Sequence, residues 1–239
     1  DAGSAATSSC ALYLQGASQT ATTVTFGGAT VSATGAWTPG APLALLPTPG
    51  YTLFLAVLVP VYWAHYGPKN FLWFSDIALL ATGVALWTEN ALLASMMTLA
   101  VLLPELAWNL DFFGRLLTGH PMFGMSAYMF DARTPRYLRA LSLFHVPLPV
   151  GLVCLVHRLG YDRRAWLYQS LVALVVLPLT YRITEPELNI NWVYGLGTRQ
   201  ARLPDWLYLA LLIIAFSLVL YLPAHLVLGY YFPLSATSS

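Results

Sequence analysis

Charge is the first thing that this sequence has little of. Asp, Glu, Lys and Arg together make up 9% of its 239 residues, whereas ordinary globular chains carry roughly a quarter. The 11 Lys and Arg residues nearly cancel the 10 Asp and Glu residues, which leaves a formal net charge of +1. So few charges cannot cover a water-facing surface, and so small a net charge provides no basic face for a nucleic acid. The deficit excludes a soluble enzyme, a disordered chain and a nucleic-acid partner.

Cysteine and metal-ligating motifs are also scarce. The two cysteines lie in different surroundings, Cys10 in a polar segment and Cys154 inside an apolar run, so we expect no disulfide between them. No apolar stretch precedes Cys10, which argues against a lipid-modified cysteine. The five histidines form no HxxxH or ExxH pair, and His145 and His225 are predicted at different depths of the membrane, which disfavours zinc and a bis-histidine haem. We therefore expect no metal and no cofactor.

Long apolar runs are what the sequence has in abundance, since 58% of its residues are hydrophobic. Six runs reach the roughly 17–25 residues that an α-helix needs to cross the hydrocarbon core of a bilayer. They lie at about residues 43–63, 71–88, 91–110, 138–156, 165–181 and 206–229. Prolines within these runs are tolerated in membrane helices, because neighbouring groups satisfy the freed carbonyls. The expected fold is an all-α membrane protein, a bundle of about six transmembrane helices.

The first 41 residues differ in composition from the rest of the chain. They contain one charge, Asp1, and are rich in Ala, Ser, Thr and Gly. Residues 22–26 (TTVTF) and 29–32 (ATVS) flank two glycines, a pattern typical of a β-hairpin. A lone hairpin is only marginally stable in water. We therefore interpret residues 1–41 as an extracytoplasmic extension of a bundle formed by residues 42–239, rather than as an independent module.

The positions of Lys and Arg predict the orientation of the bundle. With the N-terminus outside, the basic residues on the inner side are Lys69, Arg115, Arg133, Arg136, Arg139, Arg182, Arg199 and Arg202, and those on the outer side are Arg158, Arg163 and Arg164. This asymmetry predicts a multi-pass protein of the bacterial inner (cytoplasmic) membrane with both termini on the extracytoplasmic side.

Ionisable residues inside apolar runs are costly, so each one marks a candidate functional site. Counting the helix rise from the predicted ends places Asp76, Glu105 and His145 in one layer near the cytoplasmic side, with Ser75 at a similar depth and Asn109 one turn beyond Glu105. The loop after the fifth run adds Asn189, Asn191 and Trp192. Buried charge is tolerated in lipid only when it is paired or hydrated. We therefore expect at least two of Asp76, Glu105 and His145 to interact.

A simpler interpretation of the same residues is structural. Polar side chains near helix ends often only form hydrogen bonds between helices, at ~0.6 kcal/mol per contact on average. Asp76 and Glu105 are each as compatible with this role as with a functional one. Asn109, together with Asp111 and Arg115, fits helix capping and interfacial anchoring. His145 is the exception, because it sits among Leu, Phe and Val well inside a predicted span.

Three stretches of the chain together resemble the sequence pattern of a known family of membrane proteins. They are residues 73–80 (WFSDIALL) followed by 85–90 (ALWTEN), residues 137–138 (YL) with 142–145 (SLFH), and residues 189–194 (NINWVY). The pattern resembles the YwaF-like family of bacterial integral membrane proteins over roughly residues 50–230. A eukaryotic relative of that family is a phospholipid acyltransferase that uses a membrane-embedded cysteine and histidine. The resemblance therefore implies acyl-transfer chemistry, with Ser75 at the cysteine position and His145 at the histidine position.

Serine in place of cysteine changes what this chemistry requires. A serine hydroxyl is a much weaker nucleophile than a thiol at neutral pH and needs an adjacent base. His145 would be that base, with Asp76, Glu105 or Asn109 orienting its imidazole, as in a nucleophile–base–acid triad. The substitution is equally compatible with a scaffold that has no chemistry.

Two functions therefore stay open at the level of the sequence. The first is lipid or acyl-chain handling in a polar intramembrane pocket, with membrane lipids as partners. It assigns Ser75, His145 and Asp76 as catalytic residues, and Glu105, Asn109, Asn189, Asn191 and Trp192 as substrate-binding residues. The second is a non-catalytic accessory subunit of a larger membrane complex, for example respiratory or photosynthetic, with other membrane protein subunits as partners.

Overall fold

The computed structural model describes residues 22–26, 29–33, 47–232 and 234–235 of the chain. The chain divides into two compact units, residues 1–43 and residues 44–239, and each unit is described by itself. Cys154 is a free, exposed cysteine. Cys10 lies outside the described residues, so the expectation that the two cysteines are not bridged stays a prediction.

The first unit contains a two-stranded antiparallel hairpin. Strand β1 (Thr22–Phe26) pairs with strand β2 (Ala29–Ala33), with Val24 opposite Val31. Both strands are rich in Thr and Val, whose branched side chains favour extended backbone. The hairpin lies where the sequence pattern predicts it.

The second unit is a bundle of helices. Their bounds are α1 Pro47–Tyr66, α2 Phe74–Thr88, α3 Ala91–Thr118, α4 Arg136–Ser142, α5 Pro147–Leu159, α6 Ala165–Ile183, α7 Asp205–Ala215 and α8 Leu222–Tyr231. A 3₁₀ turn, Leu143–His145, joins α4 to α5, and a π-helical segment, Phe216–Tyr221, joins α7 to α8. With α4–α5 and α7–α8 each taken as one segment, the helices within residues 47–232 correspond one by one to the six predicted runs.

Length and hydropathy place this unit in a membrane. Among the described residues, four segments are long and apolar enough to cross a bilayer, namely Ala91–Thr118, Arg136–Leu159, Ala165–Ile183 and Asp205–Tyr231. Helix α2 is also apolar but has only 15 residues, which at 1.5 Å per residue spans about 22 Å, short of a ~30 Å hydrocarbon core. The chain is an all-α, multi-pass membrane protein, as its composition predicts.

The fourth predicted run is not one continuous helix. Pro147 and Pro149 have no N–H group, so the carbonyls of Leu143 and His145, four residues earlier, lack their α-helical donors. The Leu143 carbonyl instead accepts the Val146 N–H at 3.0 Å, which forms the 3₁₀ turn between α4 and α5. His145 lies inside the candidate span Arg136–Leu159, as predicted, but the helix of that span is interrupted at this residue. His145 lies on the break, with a carbonyl that is free for another partner.

Helix α3 is the centre of the bundle and packs against α2, α5 and α6. Its buried residues include Ala94, Thr98 and Ala100, and Ala78 of α2 and Ala173 of α6 are fully buried as well. Small side chains let membrane helices approach closely, so that dispersion contacts replace the hydrophobic driving force that lipid does not provide.

The π-helical segment interrupts the last long helix where α6 crosses it. Its backbone carbonyl at Ser217 accepts the indole N–H of Trp166 at 3.1 Å. Beyond the segment, the His225 ring Nδ1 lies 2.7 Å from the Tyr161 hydroxyl. The first contact joins the π-helical segment to α6, and the second joins α8 to the α5–α6 connection.

Asp111 fixes the loop that follows α3. Its fully buried carboxylate accepts the backbone N–H groups of Met122, Phe123 and Gly124 at one oxygen, over 2.6–3.0 Å. The other oxygen accepts the backbone N–H of Ser126 at 2.8 Å and its hydroxyl at 2.6 Å. The sequence interpretation of Asp111 as a helix-end anchor missed this role, because the loop donors are not recognisable before the chain folds back.

Gly160 ends α5 with a φ of +84°. A Cβ atom there would lie 2.8 Å from the backbone N and Cα of Ser235, whose N–H donates to the Tyr161 carbonyl. We expect Gly160→Ala to lower the melting temperature in detergent, because left-handed backbone and a backbone clash together cost about 1–3 kcal/mol. Gly151→Ala is the control, since a Cβ at Gly151 meets nothing within 4 Å. Equal melting temperatures for the two variants would contradict the prediction.

Candidate functional site

A cavity of about 380 Å³ lies at the end of the bundle where α1 ends and α2 begins. Six of the predicted site residues line it, namely Ser75, Asp76, Glu105, His145, Asn191 and Trp192. Most of the remaining lining, which we call the aromatic wall, consists of Tyr62, Tyr66, Trp73, Phe74, Trp108, Tyr128, Phe144 and Phe216 together with Trp192. Polar side chains from separate parts of the sequence therefore meet in one space.

His145 and Glu105 form a hydrogen-bonded pair at this cavity. The His145 Nδ1 atom lies 2.8 Å from Oε2 and 3.0 Å from Oε1 of Glu105, whose side chain is almost fully buried. A carboxylate can only accept, so Nδ1 carries the hydrogen, and in the neutral ring Nε2 keeps its lone pair. The pair confirms the expectation that at least two of the three ionisable groups in this layer interact.

The imidazole is held in place from several directions. Its ring stacks on Trp108 with ring centroids 4.6 Å apart, and on Phe144 with centroids 4.1 Å apart. The backbone carbonyl of His145, which Pro149 leaves without a helical donor, accepts the Asn109 amide at 2.8 Å. The same amide nitrogen donates to the Glu105 carbonyl at 2.8 Å. Asn109 therefore fixes the backbone at both members of the His145–Glu105 pair.

Asp76 lies at the start of α2 rather than inside a span. The predicted run begins at residue 71, but residues 68–72 form a 3₁₀ turn and α2 starts at Phe74, so Asp76 is in the first helical turn. An acidic side chain there interacts favourably with the helix dipole. Its Oδ2 atom accepts the Asn70 amide at 2.9 Å. Its Oδ1 atom is buried and has no hydrogen-bond partner among the described residues.

Asn191 holds the start of α2 in place. Its Oδ1 atom accepts the Phe74 N–H at 3.0 Å, and its Nδ2 atom donates to the Leu72 carbonyl at 2.7 Å. Asn191 and Trp192 both have positive φ angles, 52° and 59°, which are costly for residues with a Cβ. The strain is concentrated where this loop reaches the cavity. Both polar ends of the Asn191 side chain are engaged, so it positions Ser75 and Asp76 through α2 rather than offering a free amide to a ligand.

Asn109 and Asn189, predicted to bind substrate, do not line the cavity. The Asn109 amide is used between two backbone carbonyls, as described above. The Asn189 side chain donates to the Gly195 carbonyl at 2.8 Å and accepts the Tyr194 N–H at 3.0 Å, which closes its own loop. The structure gives both residues a positioning role. Amides that bind a ligand and amides that brace a backbone look the same in a sequence.

The loop that carries Asn191 is also tied to the turn before α2 by an ion pair between Lys69 and Glu185. The hydrogen bond from Lys69 holds the pKa of the Glu185 carboxyl below its usual value. Both side chains are substantially exposed, so this pair adds little stability by itself. It acts together with Asn191, since both contacts join the same two segments at the edge of the cavity.

Ser75 lines the cavity with His145, but the two do not form a hydrogen bond with each other. Within the described part of the chain, no group is hydrogen-bonded to the Ser75 hydroxyl. Another serine in the lining is engaged, because the Ser142 and Tyr62 hydroxyls lie 2.7 Å apart. Of the two serines that are described in the lining, Ser75 is therefore the one whose hydroxyl is available to a ligand.

The structure adds residues that the sequence analysis did not single out. Asn70 contacts Asp76, and the Tyr62–Ser142 pair forms part of the lining. Burial raises the pKa of the Tyr128 hydroxyl, which also lines the cavity. The buried indole N–H of Trp108 has no hydrogen-bond partner within the described residues. A high aromatic content was visible in the sequence, but aromatic residues are also typical of membrane interfaces.

Comparisons of the chain with known protein families, with characterised proteins and with solved structures gave no match. Within residues 47–232 and the other described residues, no three of His, Cys, Asp and Glu lie close enough together to hold a metal ion.

Proposed function

We propose that this membrane protein binds a lipid in the cavity and transfers an acyl group there. The observation that carries the proposal is the His145–Glu105 pair, which lies in the same cavity as the Ser75 hydroxyl, a group with no hydrogen-bond partner among the described residues. An orienting carboxylate on Nδ1 with a free Nε2 is the arrangement of a general base in nucleophilic catalysis. The resemblance to the YwaF-like family, whose eukaryotic relative is an acyltransferase, is consistent with this chemistry.

In the proposed reaction, the Ser75 hydroxyl attacks the carbonyl carbon of a lipid ester while the His145 Nε2 atom takes its proton. The bond between the carbonyl carbon and the alkoxy oxygen then breaks, and the leaving alcohol takes the proton from His145. The acyl group stays on Ser75 until an acceptor hydroxyl, activated in the same way, removes it. Glu105 stabilises the imidazolium that forms in each half of the reaction. Asp76 takes no part in these proton transfers.

The experiment uses purified protein in lipid nanodiscs that contain a phospholipid with a labelled acyl chain. Transfer of the label to added lysophospholipid is followed by mass spectrometry, and a fluorophosphonate probe reports an activated serine. We expect Ser75→Ala and His145→Gln to lower transfer at least 10³-fold, because nucleophile and base act as a unit, and to abolish labelling.

Ser170→Ala and His157→Gln are the matched controls, since neither residue lines the cavity. Both should retain transfer and labelling. Labelling of the wild-type protein that persists in Ser75→Ala would place the nucleophile elsewhere. Absence of transfer in the wild-type protein with every acceptor tested, together with co-purification of stoichiometric membrane subunits, would favour an accessory subunit instead.

A further inference from the structure

We infer that the cavity binds an organic ammonium group, with Asp76 as its counter-ion and the aromatic wall around it. The inference rests on the proposed function in taking this cavity as the ligand site, and it adds the chemistry of the ligand. It concerns a side chain, Asp76, for which the proposed acyl transfer has no use.

The charges in the lining are unbalanced. Among the described residues, the cavity is lined by two carboxylates and one histidine, and by no Lys or Arg. Glu105 has a hydrogen-bond partner, because its Oε2 atom lies 2.8 Å from the His145 Nδ1 atom. Asp76 is matched only by the neutral amide of Asn70 at its Oδ2 atom. A ligand that carries a positive charge would complete this site.

The burial of Asp76 makes the missing partner significant. The side chain is 3% exposed, and its Oδ1 atom is buried without a hydrogen bond among the described residues. A buried polar atom without a partner costs free energy, and a buried charge costs more unless it is paired. Native structures rarely keep such an atom without a reason. A bound cation would pair with the charge of this carboxylate.

The aromatic wall selects the kind of cation. Aromatic faces carry a partial negative charge and attract cations within about 6 Å, with Trp the strongest, and quaternary ammonium groups are recognised in this way. Three of the aromatic residues are tryptophans. Trp108 is stacked against both His145 and Phe112, so the ring faces for a cation come from Trp73 and Trp192. A metal ion would instead need several oxygen, nitrogen or sulfur ligands close together, and the described residues contain no such group. A bulky, weakly hydrated ammonium group fits both the charge and the wall.

The space available agrees with this class of ligand. A cavity of about 380 Å³ lies at the lower end of the range of small-molecule pockets, roughly 300–1,000 Å³. The lining includes Tyr66, which is 39% exposed, so the cavity reaches the surface of the bundle. The ammonium group of a lipid head group and that of a soluble amine are the two sources of the same chemistry.

The test measures binding of choline to the full chain in nanodiscs of phosphatidylglycerol, a lipid without an ammonium group, by quenching of tryptophan fluorescence. The uncharged comparison compound is 3,3-dimethyl-1-butanol, which has nearly the same shape as choline without the charge. We expect saturable binding of choline and binding of the alcohol that is at least 10-fold weaker. Asp76→Asn should weaken choline binding at least 10-fold, and Glu187→Gln, an exposed carboxylate outside the lining, should leave it unchanged.

Equal affinity for choline and for the alcohol would overturn the inference, and so would undiminished choline binding by Asp76→Asn. If Asp76→Asn does not fold, the wild-type protein alone decides the question. Choline should raise its melting temperature more than the alcohol does, and an equal effect of the two compounds would again overturn the inference.

The source of the ammonium group is distinguished by exchanging phosphatidylglycerol for phosphatidylcholine. A lower apparent affinity for choline in phosphatidylcholine discs assigns the site to a lipid head group, and an unchanged affinity assigns it to a soluble amine. Both results support the inference. Choline binding without any acyl transfer would disprove only the proposed reaction, whereas acyl transfer without choline binding would disprove only the ammonium site.

Discussion

Replacing Glu105 by Gln is expected to lower the rate of acyl transfer by about 10³–10⁴-fold while the protein stays folded. The Gln amide can donate to the His145 Nδ1 atom, and the ring hydrogen then moves to Nε2. The atom that should accept the proton of Ser75 would then already carry one. The substitution also removes the negative charge that stabilises the imidazolium during the reaction. The measurement is the turnover number with labelled phospholipid in nanodiscs.

Glu187→Gln is the control for this prediction, because it makes the same chemical change at an exposed side chain outside the cavity. Its turnover number should stay within about twofold of the wild-type value. The Michaelis constant of Glu105→Gln should change little, since Glu105 contacts the base rather than the substrate. A Glu105→Gln turnover number within tenfold of wild type would mean that Glu105 only braces the helices.

Replacing Asp111 by Ala is expected to be the most destabilising single change among the polar residues described here, by about 3 kcal/mol. The substitution leaves four backbone N–H groups and the Ser126 hydroxyl without their shared acceptor. Hydrogen bonds to a charged group contribute about 1.5–3 kcal/mol each, and buried donors that lose their acceptor are costly. Part of the cost is recovered because Met122, Phe123 and Gly124 are exposed and their N–H groups can turn to water.

The measurement is the free energy of unfolding in mixed micelles, together with limited proteolysis of the loop after α3. Asp131→Ala is the matched control. Its carboxylate forms a salt bridge with Arg133, which is largely exposed, and exposed pairs contribute only about 0–1 kcal/mol. If the two variants lose the same stability, Asp111 does not organise the loop as its contacts indicate.

The positions of the helices were largely predictable, and the physical reason is the solvent. In a bilayer the backbone must satisfy its own hydrogen bonds, so a sufficiently long apolar run has little choice but to form a helix. The predicted run that ends at residue 88 ends where α2 ends. The predicted run that begins at residue 91 begins where α3 begins. The turn between them is marked by Glu89, which has a left-handed backbone, and by Asn90, whose side chain accepts the Leu93 N–H at 2.8 Å.

The breaks within the runs were not predicted, although their cause was visible. Pro147 and Pro149 were interpreted as tolerated, but each also removes a donor, and the carbonyl left free at His145 binds Asn109. The start of α2 at Phe74 was missed because hydropathy does not distinguish a 3₁₀ turn from a helix. Because the predicted start was wrong by a few residues, Asp76 was expected in the interior of a span, whereas it lies at a helix N-terminus.

The sequence predicted the depth at which the polar residues lie, but not which of them contact each other. Helix rise places Ser75, Asp76, Glu105 and His145 at one end of the bundle, and all four line one cavity. Depth does not specify rotation about the helix axis, so the choice of Glu105 rather than Asp76 as the partner of His145 required the structure. The same limit separates Asn191, which braces α2, from a residue that meets a ligand.

The π-helical segment Phe216–Tyr221 sets the rotational phase of the last helix. A π turn holds one residue more than an α turn, and one residue corresponds to about 100° of rotation. Deleting a single residue here would restore a regular ladder and turn Leu228 and His225 away from the core, while Phe216 kept its place in the cavity wall. The hydrogen bond from Trp166 to the Ser217 carbonyl therefore holds two halves of one helix at different angular settings, each matched to its own neighbours.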